Sequence, residues 1–264
     1  GGVIRRLGDS QKPNGVLEET AILAIQALIP ASENGSELIH GGLLDYARHG
    51  ITTAQDGASS LGVINELRSA SSEKPFPIDV VSFQRVDEAY LGENSPPLAI
   101  LGEYENGFRV GGVKMVLDGS PQGKTAYLTQ PYKVPPKGAA QNYRGYPIMP
   151  AESVDKLFAK FIDAGVPILA HANGDAAADL FVNALQSSID AANFPDHRTV
   201  MIHAQTVRED QLDLMAEMKA IPSFFSAHTF YWGDWHRDSV FGVKRATRIS
   251  PTQSSLDKGI VFTV

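Results

Sequence analysis

Cysteine is missing altogether from the 264 residues of this chain. That excludes a disulfide framework and any metal site built on thiolates, and it says nothing about compartment. Long hydrophobic runs are missing too. The longest apolar stretch, from Ala21 to Ala31, is interrupted by Gln26 and Pro30 and is too short to cross a bilayer, so no membrane span is expected. Basic charge is scarce: 23 Lys and Arg stand against 30 Asp and Glu, the formal net charge is −7, and no basic block exceeds Arg5–Arg6. Proteins that bind nucleic acid draw most of their affinity from neutralised phosphates, so this balance argues against such a partner. No Gly-x-Gly-x-x-Gly or P-loop element follows any apolar run, which weakens a nucleotide-binding reading. What is present, 43% hydrophobic and 20% charged residues, is the composition of a folded globular chain with one large domain or two small ones.

Short apolar runs alternate with helical patterns along the whole chain. Ser36–His49 carries apolar residues at helical spacing and Gly50 ends it; Ile51–Ala54 follows as a short strand. A helix over Leu61–Ala70 precedes a strand over Pro77–Phe83, and Val113–Leu117 is strand-like. The helix Ala151–Ala164 is stopped by Gly165, then come a strand Val166–His171, a helix Asp175–Ala192, a strand Thr199–His203 and a helix Val207–Met218. Strands over Ile221–Ala227 and Ile260–Val264 complete the set. Strands separated by helices of this length pair in parallel through right-handed crossovers. The fold class is therefore α/β, read here as an incomplete (β/α)8 TIM barrel in preference to an open doubly wound sheet. Residues 119–150 form a long loop rich in Gly, Pro, Gln and Tyr, and a loop of that length in a compact fold is more often functional than idle.

In such a barrel the chemistry gathers at the C-terminal ends of the strands. Three polar residues stand there against apolar sequence: Lys114, His171 and His203. The histidines lie one βα unit apart, which puts them on neighbouring strands with side chains able to converge. Neutral imidazoles so placed are ligands for zinc or a similar divalent ion, although a single strand-end histidine is more often a satisfied core residue. Lys114 is costly to bury unless neutralised or paired, and by itself it fits a Schiff-base lysine or the partner of a buried carboxylate equally well. Asp175 opens a helix and reads as its N-cap, while Asp118–Gly119 is a turn signature first and a site second. His40, His49 and His197 are expected in solvent, and His236 is ambiguous. The run Ser223–Trp235 places both tryptophans and several other aromatics after one strand. It reads as a pocket wall or lid, with Tyr231 and Trp232 against substrate and His228 as its polar contact.

Taken together, Gly112–Ser120, Thr125–Tyr127, His171–Ala177, His203–Gln205 and His228–Asp234 resemble the YtcJ-like branch of the amidohydrolase superfamily, which includes N-substituted formamide deformylases. Asn14–Glu19 and Gly50–Thr53 fit the same pattern upstream. The resemblance covers nearly the whole chain and implies a metal-dependent hydrolase on a (β/α)8 barrel. It implies Lys114, often carboxylated in that family, His171 and His203 as metal ligands, with zinc as the expected metal, one or two ions in all. It implies Asp118, His228, Tyr231 and Trp232 on the substrate side. The family's His-x-His pair of the first barrel strand is not found in this sequence, nor is the aspartate of its last strand, which would take the proton of the metal-activated water. The chain is accordingly expected to be the central part, 1–264, of a longer hydrolase of roughly twice the length, lacking the first strand, the end of the last one and the β-sandwich domain; by itself it is expected to be inactive.

The function implied is hydrolysis of a non-peptide carbon–nitrogen bond in an amide, formamide or cyclic amide of a small molecule. Two alternatives stand beside it: a Schiff-base lyase using Lys114, and a non-catalytic barrel that only binds. Homo-oligomer formation is left open, and the cytoplasm is slightly favoured over export.

Overall fold

The computed structural model describes residues 2–8, 10–22, 25, 28, 34–191 and 196–264. Most of the apolar stretch Ala21–Ala31, and the last residue expected of the helix Asp175–Ala192, lie outside these residues. A six-stranded sheet carries its strands in chain order, β3 (Thr53–Ser59), β4 (Asp79–Arg85), β5 (Phe108–Val116), β6 (Ile168–Ala172), β7 (Val200–His203) and β8 (Ile221–Phe224). The pairs β3–β4, β4–β5 and β7–β8 run parallel, so the α/β class and the incomplete TIM-barrel reading hold. A separate antiparallel hairpin, β1 (Gly2–Arg6) with β2 (Pro13–Glu19), precedes it and has no counterpart in the sequence reading. Among the described residues no helix is long and apolar enough to cross a membrane.

The chain divides into two compact units. One comprises residues 30–115 and 166–169. Its helix α1 (Gly35–Arg48) ends at Gly50, whose φ of +79° only glycine adopts cheaply. Helix α2 (Leu61–Glu73) starts where the Ser60 hydroxyl accepts the Val63 N–H at 3.2 Å. Ile64, Leu67 and Ala70 recur on one face of α2 and pack with Leu43, Phe76, Ile78, Val80, Phe108 and Val110 into one core.

The other unit comprises residues 1–29, 116–165 and 170–264. Its helices are α3 (Ala151–Asp163), α4 (Asp175–Ala191), α5 (Glu209–Met218), α6 (Ala227–Trp235), α7 (Val243–Ala246) and α8 (Thr252–Asp257). Val154, Leu157, Phe158, Phe161 and Ile162 follow the i, i+3, i+4, i+7, i+8 rule on α3 and are all buried. Phe158 meets Phe181 of α4 edge to face at 5.5 Å, and burying each such ring is worth about 2–3 kcal/mol.

Four expectations need correction. The strand expected over Ile221–Ala227 ends at Phe224, and a helix, α6, begins at Ala227. Ile260–Val264 makes only a bridge between Thr263 and Ser223 rather than a strand. His197 is not in solvent: it is 2% exposed, with Nε2 2.7 Å from the Met218 carbonyl. Asp175 does not cap its own helix. Its carboxylate accepts the Thr129 N–H at 2.9 Å and the Thr129 hydroxyl, fastening the long loop instead.

Candidate metal centre

Lys114 sits near the end of β5, opposite Arg85 of β4, in a strand buried along most of its length. Its side chain has no hydrogen-bond or ion-pair partner among the described residues, and the residue is 6% exposed. Burial, with a smaller push from the Arg85 charge, lowers its ammonium pKa to about 8. An amine in that position is partly neutral near physiological pH.

In the other unit, chain 116 onward begins with an organising carboxylate. Asp118 is fully buried. Its Oδ1 accepts the Asn173 N–H at 2.9 Å, and its Oδ2 accepts the N–H groups of Tyr127 and Gly174 at 2.9 and 2.8 Å. Both oxygens are thus taken by the chain's own backbone, which joins the start of the long loop to the segment after β6. The approach is so close that a Cβ on Gly174 would lie 1.8 Å from the Tyr127 carbonyl oxygen; only glycine fits.

His171 hangs from that framework. Its Nε2 is 2.9 Å from the Gly119 carbonyl and 3.4 Å from Asp118 Oδ1. The Asn173 amide nitrogen also lies 3.0 Å from Nε2, but it gives a hydrogen to the Gly119 carbonyl at 2.8 Å, and that carbonyl, which can only accept, is met at 2.9 Å by a hydrogen on Nε2. The lone pair of the neutral ring is then on Nδ1, with the other nitrogen anchored to a carbonyl, the arrangement that orients metal-bound histidines. His203, at the end of β7, brings its ring centroid to 4.6 Å from that of His171, edge to face at 82°. It does so from a left-handed backbone, φ +76° at His203 and +45° at Ala204. Such residues cost about 1–3 kcal/mol each and are retained where surrounding bonds over-determine them. Here the Ala204 N–H reaches the Ala172 carbonyl at 3.1 Å, and Thr206 gives both its N–H and its hydroxyl to the Asn173 carbonyl.

The rings continue outward. Phe225 lies 6.3 Å from His203 and 4.3 Å from His228. His228 in turn stacks on His236 at 5.8 Å. His228 is buried and His236 completely so; each has an Nδ1 without a partner among the described residues, as has Gln205 Oε1. Burial lowers the pKa of both histidines, that of His236 to about 4 with help from His228. Tyr231 and Trp232 are exposed on α6, 74% and 42%. The long loop is pinned to this helix and the π-helical turn after it: Lys124 Nζ gives hydrogens to the Val134 carbonyl and Ser239 Oγ at 2.7 and 2.8 Å and lies over the Trp235 ring, whose Nε1 bonds the Gln122 carbonyl.

Of the residues singled out from sequence, the structure therefore brings together Asp118, His171 and His203, with His228 two rings further on; Lys114 stands buried in its own unit. Sequence reasoning missed Glu19. Its carboxylate accepts the Thr125 hydroxyl at 2.5 Å and would collide with any Cβ on Gly119, so it lies at the turn that holds His171. The only hint was its place in the Asn14–Glu19 motif. It missed His236 and Gln205 as partners because their 31-residue separation shows no pattern.

Among the described residues no three His, Asp or Glu side chains converge as a ready ligand set. Two imidazoles, one with its second nitrogen anchored, nevertheless fit a divalent ion that takes further ligands from elsewhere, and an unpartnered buried amine fits the chemistry of a lysine that becomes an anion. A model of the amidohydrolase family matches residues 1–264. An uncharacterized metal-dependent hydrolase of Pyrococcus furiosus superposes with a TM-score of 0.72 at 20% identity, over 99% of this chain and 53% of that one. Another from Pyrococcus horikoshii does so with 0.72 at 20% identity, over 99% and 52%. This chain thus spans about half the length of these solved structures. No match was found among curated proteins.

Proposed function

From the premise that this chain belongs to the amidohydrolase family, we propose that it forms part of a metal-dependent hydrolase acting on a non-peptide carbon–nitrogen bond of a small molecule, an amide, formamide or cyclic amide. The observation that carries this is the edge-to-face pair of His171 and His203. A divalent ion, zinc first among the candidates, supplies Lewis acidity when bound: it acidifies water and polarises the scissile carbonyl. His171 and His203 would hold it. Lys114 would carry a carbamate, an anion of the kind that ligates such ions, formed when the neutral amine adds to carbon dioxide and releases one proton. The Asp118 carboxylate and the Gly119 carbonyl keep the His171 ring in one tautomer and one orientation. Phe225 and the exposed rings of α6 offer an apolar wall for a substrate with a ring or an aliphatic body.

Elemental analysis of the purified full-length protein tests this reading: about one or two divalent ions per chain are expected, falling sharply in His171→Ala and His203→Ala. A wild-type protein that binds none, even after incubation with zinc, would overturn it. The low-pKa amine of Lys114 also suits a Schiff-base lyase. Borohydride trapping of a carbonyl substrate on Lys114 would establish that alternative, whereas a mass increment of carbon dioxide on Lys114 in the native protein supports the hydrolase.

A further inference from the structure

We propose that a cavity between the starts of α4 and α5, apart from the imidazole pair, binds a small organic carboxylate with an apolar body. The cavity measures about 750 Å3 and lies wholly within the unit that contains residues 116–165 and 170–264. That is the size range of small-molecule sites, about 300–1,000 Å3. Lys114, His171 and His203 are not among its walls.

Its charge is the argument. Four cations, Arg208, Lys244, Arg245 and Arg248, face it against one acid, Asp175. Two of the four are already neutralised. Arg208 spends all its N–H groups on the carboxylates of Asp179 and Asp210 and on the Asp175 carbonyl. Arg248 holds Glu209 at 2.5 Å. The Asp175 carboxylate accepts the Thr129 N–H and hydroxyl, lies 3.7 Å from Arg208 and keeps its charge. Arg245 and Lys244 differ. Arg245 gives hydrogens only to carbonyls, those of Phe241, Pro131 and Gln130 at 2.8, 2.7 and 3.2 Å, and meets no carboxylate. A guanidinium has five N–H groups, so these three bonds leave one on each terminal nitrogen of Arg245 for a further acceptor. Lys244 is exposed beside it and has no ion-pair partner among the described residues. Lys244 and Arg245 thus bring to this cavity two cations that no carboxylate touches, with the charge of Asp175 acting on Arg245 through space. Leu128, Val207, Phe241 and Val243 line the same cavity, so the ligand carries apolar surface as well as its charge.

The test uses phenylacetate and its uncharged counterpart phenylacetamide, titrated calorimetrically into the full-length protein. Phenylacetate is expected to bind roughly tenfold more tightly than the amide, the ratio one charge-assisted contact supports. Lys244→Gln, at an exposed position, should erase most of that ratio, and Arg245→Lys, which keeps the charge but loses the fork, should weaken phenylacetate while the protein stays folded. Equal binding of acid and amide, no binding of either, or an unchanged ratio in Lys244→Gln would each overturn the proposal. The carboxylate has two sources, the substrate itself or a separate effector. With N-formylphenylalanine and its amide as paired substrates, an arm that does rest on the hydrolase reading, Lys244→Gln raises KM for the acid alone in the first case. In the second it leaves both values of KM unchanged while phenylacetate binding is still lost.

Discussion

Three backbone N–H groups from two separate segments end on the carboxylate of Asp118, and a histidine ring leans on the same group. Asp118→Ala would leave three buried donors without partners, each costing about 1–3 kcal/mol, so a loss of roughly 3 kcal/mol or more is expected in urea unfolding. Asp118→Asn should rescue little, because the amide nitrogen that replaces one oxygen is itself a donor. The sequence marked Asp118–Gly119 as a turn, and nothing local could reveal partners 55 and 56 residues ahead. His236 illustrates a second effect of burial. Its folded-state pKa of about 4 lies below the ordinary 6.5, chiefly through desolvation and then through His228. A group with a depressed pKa contributes stability that is complete above its unfolded value and is lost as pH falls toward the folded one. The urea midpoint of the wild type should therefore hold above pH 6.5 and decline between 6.5 and 4. His236→Gln should show a shallower decline over the same range, and parallel profiles would assign the acid loss to other groups.

At the scale of elements, the helices were legible because their apolar spacing is regular. α3 shows it best: five buried residues at i, i+3, i+4, i+7 and i+8, bounded by Pro150 and by Gly165 at φ +66°. α6 was not legible, for a definite reason. Phe230, Tyr231, Trp232 and Trp235 surround it on several sides and most of them face outward, so no stripe betrays a helix. The β1–β2 hairpin was hidden in the same way, since neither strand buries a residue and Gly-Val-Ile-Arg-Arg and Pro-Asn-Gly-Val-Leu-Glu-Glu do not alternate apolar with polar residues. The pair His171 and His203 could be placed on successive strands from spacing, but the ring anchoring by Gly119 depends on the loop. That loop in turn depends on Lys124, buried at 9% exposure and bonded to Val134 and Ser239. Lys124→Met keeps the bulk of the stem and removes both bonds. Faster hydrogen exchange and easier proteolysis across 119–150 are expected, with global stability lowered by only about 1–3 kcal/mol. Unchanged protection there would mean that Tyr132 and Phe241 of the small apolar cluster, rather than the lysine, hold the loop in place.

At the scale of the whole chain, strand pairing and net charge oppose each other. The sheet order ends on β3 at one side and on β8 at the other, and beyond β8 the described residues add only the bridge at Thr263. An edge strand presents a row of N–H and carbonyl groups that a second copy can pair with, and β3, mostly half-buried or exposed and with Asp56 as its one charge, has no lysine, arginine or proline to discourage it. The net charge of −7 repels copies from one another at long range. The two effects respond oppositely to salt, because screening shortens the repulsion while leaving strand pairing and apolar contact intact. The purified 264-residue polypeptide is therefore expected to associate in a concentration-dependent way, and more strongly as ionic strength rises from about 0.02 to 0.2 M. Light scattering behind a sizing column reads this directly. Gln55→Lys, placing a cation in the middle of β3, should reduce the association without moving the thermal midpoint by more than a few degrees. A monomer at every concentration and salt would show that these edges are protected. Association that weakens as salt is added would instead trace to charged patches, among them the cationic cavity at Lys244 and Arg245.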